Sequence, residues 1–460
     1  MGKRFNYEYV VIGGGLAGIT AAIQLAEAGR KVAIIEKDHL GGNSLYYRDV
    51  PSSTLFFLSH FYSRTINASK LGFSSANLKY DYATFLNRRE KVISQINATK
   101  KELEDRKIAV IKGRAHFVGT NDIVVDSYKG NLEISASKFI IATGTELDTG
   151  TIGGLDEVPY LTPASALTIS HPPKAVLIVG GGATGCEIAQ YYAELGAKVV
   201  IVELSDRILP HEDEDISKVI SQYLEKRCGV KIFTNTKVVA LEKDKIATRA
   251  VFLKNGEEKT VRVGSVVLAT GQKPFVDIGL KNAGVSYDKK GIIVDRTLQT
   301  SARHIFAIGG AIDSKRSSEK SAYTGEVAVM NMLDRNKTFV NYDGFMRCID
   351  TDPSIAVVGL TEDDLMKRNR KYRKALVPLS ATTAAIIRNY KFGFLKLLAD
   401  SQGKILGAAM VGPNASEVLQ EVALAMRHGL PLIQVASTPH RANDWNNIVK
   451  IAARKLLTKR

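Results

Sequence analysis

Cysteine is scarce in this chain, with only Cys186, Cys228 and Cys348 among 460 residues. The three positions form neither a CxxC pair nor a metal-binding spacing. The sequence therefore excludes a disulfide scaffold and predicts reduced interior thiols. None of the eight histidines has a second histidine four positions away, and this spacing predicts that the protein holds no metal.

Long hydrophobic runs and a leader are also missing. No apolar stretch reaches the roughly 18 residues that a membrane-spanning helix requires, and no basic-then-apolar segment opens the chain. Together with the few cysteines, these features predict a cytoplasmic protein. Hydrophobic residues still make up 45% of the 460 residues, and this composition and length favour a globular protein of about three domains.

Acidic residues are outnumbered by basic ones, and the formal net charge is +16. The densest basic segment spans residues 367–374. A second one ends the chain and consists of Lys450, Arg454, Lys455, Lys459 and Arg460. Each segment could bind nucleic acid or anionic lipid, or could simply be solvated. No nucleic-acid-binding motif accompanies them, so we predict no nucleic-acid partner and at most a weak contact with a membrane surface.

A strand pattern, a glycine-rich turn and a helix pattern follow one another near the N-terminus. The apolar residues 9–12 run into a motif that contains Gly13, Gly15 and Gly18, and the strand pattern after the helix ends at Glu36. Glycines there let the backbone approach a pyrophosphate at the helix N-terminus, and the acid accepts hydrogen bonds from a ribose. The segment therefore predicts a dinucleotide-binding motif.

The same pattern recurs with the same spacing at Gly180, Gly182, Gly185 and Glu203. Two complete motifs predict two bound dinucleotides. A carboxylate at Glu203 suits two ribose hydroxyls and repels a 2′-phosphate, which favours NADH over NADPH. Arg207 lies close enough in sequence to oppose this preference, or it is only a surface residue at a helix end. The sequence leaves both interpretations open.

Further segments complete a pattern typical of a known family. Two strand patterns end in Ala-Thr-Gly at residues 142–144 and 269–271. A Gly-Gly pair opens residues 41–55, and the segment 300–309 ends in Ile-Gly. With the two glycine-rich motifs, these segments make the whole chain resemble the flavoprotein disulfide reductases. That family includes lipoamide dehydrogenase, glutathione reductase and mercuric reductase.

The resemblance implies an α/β fold with two Rossmann-like dinucleotide-binding domains and a C-terminal α+β dimerisation domain. An FAD-binding domain would span residues 1–150 and 274–338. An NAD(P)-binding domain would span residues 151–273, and an interface domain residues 339–460. The resemblance also implies a homodimer that is formed through the interface domain.

The resemblance further implies which residues bind the two cofactors, FAD and NADH, with NADPH less favoured. The residues that would bind FAD are Gly13, Gly15, Gly18, Glu36, Gly42, Ser44, Thr143, Gly144 and Gly309. The residues that would bind the nicotinamide nucleotide are Gly180, Gly182, Gly185, Glu203 and Gly271.

The thiol chemistry of the family is missing from this chain. The positions of its redox-active cysteine pair hold Ser44 and Asp49, and the nearby lysine position holds Ser53. The positions of its proton-handling His-Glu pair hold Thr438 and Asn443. His440 is two residues away, and we expect it to point elsewhere. Because the pair and its base are absent together, dithiol exchange is not the expected function.

Two further departures concern the flavin. The family's glutamate beside the flavin is present as Glu187. Without its lysine we expect a buried, unpaired acid that either has a raised pKa or draws in another cation, such as Arg48. The family also has an acid where this chain has Gly310, so we expect weaker FAD binding and predict that an aspartate there strengthens it. Asp49 and Glu187 are the candidate catalytic residues.

Aromatic residues follow the Gly-Gly pair and could form a flat apolar slot for a quinone, or could be helix core. They are Tyr46, Tyr47, Phe56, Phe57, Phe61 and Tyr62. The sequence predicts an FAD-dependent oxidoreductase that passes hydride from NAD(P)H to flavin and on to a non-thiol small-molecule acceptor, such as a quinone, a dye or oxygen. The alternative is a catalytically weak nucleotide-binding protein with a regulatory or scaffold role.

Overall fold

The computed structural model describes residues 4–74, 77–96, 99–245, 247–314, 317–334 and 337–458. Tyr47 is described without its side chain, and Lys459 and Arg460 lie outside the described residues. Contacts divide the chain into two compact units. The first unit comprises Met1–Leu55, Ala83–Asp148 and Gly271–Asn341, and the second comprises Phe56–Tyr82, Thr149–Thr270 and Tyr342–Arg460.

The first unit is built on a seven-stranded sheet in which five neighbouring strands run parallel. Their β-branched residues are buried on both faces, as parallel sheets require. In spatial order the strands are Ala109–Lys112, Val32–Glu36, Arg4–Ile12, Gly130–Ile141, Asp122–Ser127 and Arg114–Phe117, and Ile305–Ala307 also pairs with Gly130–Ile141. Helices Leu16–Glu27 and Ser318–Leu333 pack against each other and against the sheet.

Smaller elements complete this unit. They are helices Tyr82–Ile96 and Thr99–Asp105, a π-helical turn Asn43–Tyr47, 3₁₀ turns Leu280–Ala283 and Gly309–Ala311, and the paired strands Thr145–Leu147 with Gln272–Pro274 and Tyr287–Asp288 with Gly291–Ile292. Helix Asp49–Ile66 begins in the first unit and ends in the second, where the 3₁₀ turn Asn67–Leu71 follows it.

The second unit contains a second parallel sheet. Its strand order is Lys231–Phe233, Lys198–Val202, Ala175–Val179 and Ser265–Leu268. Along the chain, helix Ala183–Glu194 follows strand Ala175–Val179, and helix Glu214–Cys228 follows strand Lys198–Val202. An antiparallel sheet of Thr236–Asp244, Ala247–Lys254 and Glu257–Val263 and the short helices Leu155–Glu157 and Pro163–Ala166 complete this part.

The C-terminal part of the second unit is a five-stranded antiparallel sheet with helices. The strand order is Met346–Ile349, Ser354–Gly359, Ile405–Gly412, Phe394–Ala399 and Arg373–Pro378. The helices are Glu362–Lys367, Thr383–Ile387, Ala415–Arg427, Leu432–Ser437 and Asn447–Thr458, and a 3₁₀ turn spans Leu379–Ala381. The strands Phe394–Ala399 and Ile405–Gly412 are buried along their whole length.

These elements confirm the predicted fold class, with two Rossmann-like sheets and a C-terminal α+β part. The division into three domains at residues 150, 273 and 338 stays a prediction. Contacts group residues 149–270 with residues 342–460 in one unit.

The basic segment 367–374 is partly held by contacts with the rest of the second unit. Arg373 donates from Nε to the Asp400 carbonyl at 3.3 Å, and Lys374 Nζ lies 2.8 Å from Glu362 Oε1. Within the described ranges, no helix has both the length and the apolarity that crossing a bilayer requires.

Candidate active site and nucleotide-binding motifs

The acid of the first glycine-rich motif is hydrogen-bonded to the backbone of the turn. The backbone N–H of Gly14 donates to Glu36 Oε2 at 2.6 Å, and the N–H of Asp38 donates to Glu36 Oε1 at 2.6 Å. The carboxylate is thereby fixed at the end of strand Val32–Glu36, beside the turn. It keeps lone pairs for the two hydroxyls of a ribose.

The second motif repeats this geometry. The N–H of Gly181 donates to Glu203 Oε2 at 2.6 Å, and the N–H of Ser205 donates to Glu203 Oε1 at 2.7 Å. Glu203 is 7% exposed. Two acids held in the same way after two parallel strands make both motifs competent to bind an adenosine ribose.

Three glycines of the first motif have different roles. A Cβ at Gly13 would lie 2.2 Å from the Ala142 carbonyl oxygen, and one at Gly18 would lie 2.0 Å from the Gly13 carbonyl oxygen. A Cβ at Gly15 meets nothing within 4 Å. Gly13 and Gly18 are therefore required by the fold, whereas Gly15 leaves open space at the start of helix Leu16–Glu27.

The glycines of the second motif differ from one another in the same way. A Cβ at Gly180 would lie 2.4 Å from the Ala269 carbonyl oxygen, and one at Gly185 would lie 2.0 Å from the Gly180 carbonyl oxygen, but Gly182 is open. No side chain caps either helix at Gly15 or Gly182. Uncapped helix N-termini beside open glycines fit the pyrophosphates of two dinucleotides.

The other residues predicted to bind FAD lie in the first unit around this motif. A Cβ at Gly42 would lie 3.0 Å from Gly15 Cα, and one at Gly13 would lie 3.1 Å from the Thr143 backbone nitrogen. Thr143 Oγ1 donates to the Phe275 carbonyl at 2.6 Å. Gly144 has a φ of 70° and Gly309 a φ of 63°, which favour glycine.

Gly271, which the sequence assigns to the nicotinamide nucleotide, groups with the first unit. Its carbonyl accepts a hydrogen bond from the Asp148 N–H at 3.1 Å. The other residues assigned to that nucleotide, Gly180, Gly182, Gly185 and Glu203, lie in the second unit.

A hydroxyl joins the two positions where the family has cysteines. Ser318 Oγ donates to Asp49 Oδ2, and the hydroxyls of Ser318 and Ser44 are hydrogen-bonded to each other. Ser318 is the first residue of helix Ser318–Leu333, and Asp49 begins helix Asp49–Ile66. No sequence pattern points to Ser318, which lies 274 residues from Ser44 along the chain.

The environment of Glu187 differs from the prediction. Its side chain is half-buried, and Oε1 accepts a hydrogen bond from the Asp350 N–H at 2.8 Å. The expectation of a buried acid without a partner is therefore wrong. A backbone donor from the segment after strand Met346–Ile349 takes part of the role that we had assigned to a cation.

The aromatic residues differ in their burial and contacts. Phe56 is 2% exposed and packs on Tyr191 at a centroid distance of 5.7 Å, so it belongs to the core. Phe57 and Phe61 are 67% and 63% exposed and stack on each other. Within the first unit, Tyr46 instead stacks on His39 at 4.6 Å. For Phe56 the helix-core alternative is confirmed, and a quinone slot formed by the other aromatic residues stays a prediction.

A His-Glu pair that the sequence did not predict lies near the C-terminus. His440 Nε2 is 2.8 Å from Glu421 Oε2, and the His440 side chain is only 2% exposed. Burial raises the pKa of Glu421, although the hydrogen bond with His440 opposes the rise. Thr438, at the family's histidine position, instead donates from Oγ1 to the Gln434 carbonyl at 2.8 Å.

His60 is held as an imidazolium inside the second unit. Its Nδ1 lies 2.7 Å from Glu194 Oε2, and its Nε2 lies 3.0 Å from the Asp350 carbonyl oxygen. Both partners accept hydrogen bonds, so both ring nitrogens must donate. Burial lowers the pKa of His60, but the hydrogen bonds to Glu194 and Asp350 outweigh it and leave the pKa raised.

We expect this contact to make stability depend on pH. Because the pKa of His60 is raised on folding, its contribution is complete below the unfolded pKa of about 6.5 and is lost as pH rises through the folded pKa. His60→Gln should lower the free energy of unfolding by about 1.5–3 kcal/mol at a pH below about 6.5. The loss should be smaller at a pH above the folded pKa. Urea unfolding of parent and variant over this pH range measures the difference in unfolding free energy. A difference that does not change with pH would contradict the imidazolium assignment.

Arg207 has carboxylate partners. Its Nη2 lies 3.1 Å from Asp363 Oδ2, and its Nη1 lies 3.8 Å from Asp206 Oδ2. The sequence left Arg207 either as a competitor for a 2′-phosphate or as a surface residue. In the structure it is partly buried and engaged by an acid from helix Glu362–Lys367.

Among the described side chains, no group of three or more His, Cys, Asp and Glu is arranged to hold a metal ion. Burial raises the pKa of the Cys186 thiol far above its ordinary value and that of Cys228 to about 12. Neither is a reactive thiolate at neutral pH. Cys348 is exposed.

Comparison with known proteins agrees with these motifs. The family described as Pyridine nucleotide-disulphide oxidoreductase matches residues 7–328, and its dimerisation domain matches residues 345–443. A dihydrolipoyl dehydrogenase of Bacillus subtilis (strain 168) is 31% identical over 90% of this chain and 91% of its own length. A mercuric reductase of Bacillus cereus is 30% identical over 94% of this chain and 69% of its own length.

A solved structure shares the fold over almost the whole chain. It is the Cu(II) complex of the HOCl-induced flavoprotein disulfide reductase RclA from Escherichia coli. The TM-score is 0.88 at 25% identity, over 99% of this chain and 100% of the other.

Proposed function

Because this chain belongs to the pyridine nucleotide-disulphide oxidoreductase family, we propose that it oxidises NADH through FAD and delivers the electrons to an acceptor that is not a disulfide. Members of the family are FAD-dependent oxidoreductases that use NAD(P)H. One observation carries the choice of acceptor. A Ser–Ser–Asp hydrogen-bonded chain occupies the two positions where the family has its cysteine pair.

The residues of the first unit fit FAD. Gly15 leaves room for a pyrophosphate at an uncapped helix N-terminus, and Glu36 is fixed to receive the adenosine ribose. When bound, FAD supplies the capacity to take hydride from a nicotinamide and to release electrons singly or in pairs. The second motif would hold the nicotinamide nucleotide through Gly182 and Glu203 in the same manner.

The preference for NADH rests on Glu203. Its carboxylate is held by two backbone N–H groups and is 7% exposed, so it is fixed where the ribose hydroxyls would bind. A 2′-phosphate at the same place would meet this negative charge. The homodimer through the dimerisation domain and the cytoplasmic location are parts of the same proposal.

Asp49 supplies a fixed negative charge in place of a thiolate. Ser318 holds its carboxylate by a hydrogen bond, and Ser44 extends the chain by a second hydroxyl. Neither a hydroxyl nor a carboxylate forms a mixed disulfide or takes up two electrons. The negative charge of Asp49 would disfavour negative charge on a nearby flavin and so favour its release of electrons. Glu187 remains the second candidate catalytic residue.

The experiment that tests this function is an anaerobic NADH titration of the purified protein, followed through the visible flavin absorbance. We expect NADH to bleach the flavin and a quinone or oxygen to restore the absorbance. Lipoamide, oxidised glutathione and Hg(II) should give no NADH-dependent turnover, because the described residues offer no reactive thiol pair. Steady turnover of any of the three would refute the non-thiol proposal.

A second candidate function is nucleotide sensing with little catalysis. The absence of an acid at Gly310 and of a lysine at Ser53 favours this alternative, since both weaken the family's contacts with flavin. The same titration separates the two functions. Fully bound FAD that NADH fails to reduce would replace the enzyme proposal with the sensing one.

The position of Gly310 gives a prediction on FAD affinity. A Cβ there would lie 2.8 Å from Thr145 Cγ2, and the Thr145 hydroxyl donates to Gln272 Oε1 at 2.6 Å, which holds that methyl group in place. Gly310→Asp alone should therefore gain little, contrary to the expectation from sequence. Combined with Thr145→Ser, which keeps the hydroxyl, it should tighten FAD binding about tenfold.

Titration of flavin-free protein with FAD measures this effect, and Thr145→Ser alone is the control. If the double variant binds FAD no more tightly than Thr145→Ser, position 310 is not where an acid contacts FAD.

A further inference from the structure

The loop after the second nucleotide motif lies against the glycine-rich turn. The N–H of Leu209 donates to the Gly181 carbonyl at 2.7 Å, and a Cβ at Gly181 would lie 2.8 Å from Ile208 Cγ2. The N–H of Ser205, at the start of this loop, donates to Glu203. Arg207 is therefore carried on a loop that is bound at both ends to the motif.

The guanidinium of Arg207 is only partly satisfied. Asp363 Oδ2 lies 3.1 Å from Nη2 and Asp206 Oδ2 lies 3.8 Å from Nη1, while the buried Nε has no hydrogen-bond partner among the described residues. The side chain is 26% exposed and borders an open cleft of about 530 Å³, which Lys218 and the acids Asp206, Glu214 and Glu225 also line. Arg207 is thus a cation beside the nucleotide motif that solvent and solutes can reach.

Asp363 is itself firmly placed. It lies in helix Glu362–Lys367, and its N–H donates to Asp213 Oδ1 at 3.2 Å. The N–H of Glu362 donates to the other Asp213 oxygen at 3.2 Å. An acid from the C-terminal part of the second unit is therefore held against the loop that follows Glu203.

We propose that Asp363 determines nucleotide selectivity by engaging Arg207 and thereby denying this cation to the 2′-phosphate of NADPH. The proposal rests on the proposed function, because it assumes that the second motif binds a nicotinamide nucleotide. Guanidinium groups bind phosphate and carboxylate with the same donors, so a phosphate would have to displace Asp363. NADH has no 2′-phosphate and needs only Glu203.

The test measures binding and does not require turnover. Isothermal titration calorimetry of the flavin-loaded protein with NADP⁺ and with NAD⁺ gives the ratio of the two dissociation constants. Asp363→Asn should tighten NADP⁺ binding about tenfold, the gain expected from one charge-assisted hydrogen bond, with NAD⁺ binding unchanged. Asp363→Ser replaces the carboxylate with a smaller side chain. It should also tighten NADP⁺ binding.

Two controls assign the effect to Arg207. Adding Arg207→Gln to Asp363→Asn should abolish the gain. Asp244→Asn removes another Asp–Arg contact of the second unit, where Arg262 Nε lies 2.6 Å from Asp244 Oδ2 at a similar exposure of the acid, 24% against 32% for Asp363. This variant should leave the ratio unchanged.

The outcomes separate this proposal from the proposed function. If the parent binds NAD⁺ and neither Asp363 variant tightens NADP⁺ binding, the selectivity role of Asp363 is overturned and the proposed function stands. A gain that persists without Arg207 also overturns it, because another cation would then bind the phosphate. If the parent binds neither nucleotide, the proposed function falls, and this proposal falls with it.

Discussion

Gly15→Ala should lower the affinity for FAD by about tenfold to a hundredfold while the protein stays folded. Gly15 has a φ of −74° and a ψ of 178°, which any residue adopts, and an added Cβ meets nothing within 4 Å. The methyl group instead enters the space through which a pyrophosphate would approach helix Leu16–Glu27. An overlap of this kind costs about 1–3 kcal/mol, which corresponds to the expected loss of affinity.

Gly182→Ala is the matched control for this experiment. Gly182 has a φ of −70° and the same open surroundings at the second motif. Gly182→Ala should weaken NADH binding by a similar factor and leave FAD binding unaffected. Each variant therefore weakens the binding of only one nucleotide. FAD titration of flavin-free protein and NADH titration of flavin-loaded protein measure them.

The stability of both variants should change by no more than about 1 kcal/mol, the difference between glycine and alanine at a helix N-cap. If Gly15→Ala binds FAD as tightly as the parent, the first motif does not hold the pyrophosphate. Loss of both nucleotides from either variant would mean that the two motifs do not have separate ligands.

Lys396→Met should lower the free energy of unfolding by about 3–5 kcal/mol. The Lys396 side chain is 1% exposed, and its Nζ lies 2.6 Å from Asp213 Oδ2, 2.8 Å from Asp215 Oδ2 and 3.0 Å from Glu362 Oε2. Methionine has a similar shape but leaves three acids together without this cation. Burial lowers the pKa of Lys396, but hydrogen bonds to the two aspartates outweigh it and leave the pKa raised.

Lys374→Met is the control, because Lys374 contacts Glu362 at 2.8 Å but is 44% exposed. It should cost less than about 1 kcal/mol. Urea unfolding monitored by circular dichroism gives both values. A loss below about 1 kcal/mol for Lys396→Met would contradict the role of the buried cation.

The pH dependence gives an independent check on this cluster. Burial raises the pKa of Glu362, but Lys374, Lys396 and Tyr372 outweigh it and leave the pKa lowered. A lowered folded pKa gives stability that is present above the unfolded value and is lost as pH falls through the folded value. This acid-side loss should be smaller in Lys396→Met than in the parent, because the cation that favours the charged form is gone.

Residue identity and spacing along the chain are enough to establish the two glycine-rich motifs and the absence of cysteine at positions 44 and 49. Each motif is a local structure: the bonds from Gly14 to Glu36 and from Gly181 to Glu203 both span 22 residues along the chain. The steric demand on Gly18 and Gly185 arises within the same turn, from the carbonyls of Gly13 and Gly180. Residue identity alone excludes a disulfide between Ser44 and Asp49.

The side chains that surround these motifs are set by long-range packing within each unit. Ser318 reaches Asp49 across 269 residues, Lys396 reaches Asp215 across 181 residues, and Arg207 reaches Asp363 across 156 residues. No spacing along the chain encodes such contacts, since they depend on how strands and helices pack. The burial of Phe56 likewise depended on packing. Helical periodicity separates the face of Phe56 from that of Phe57, but packing against Tyr191 decides which face is buried.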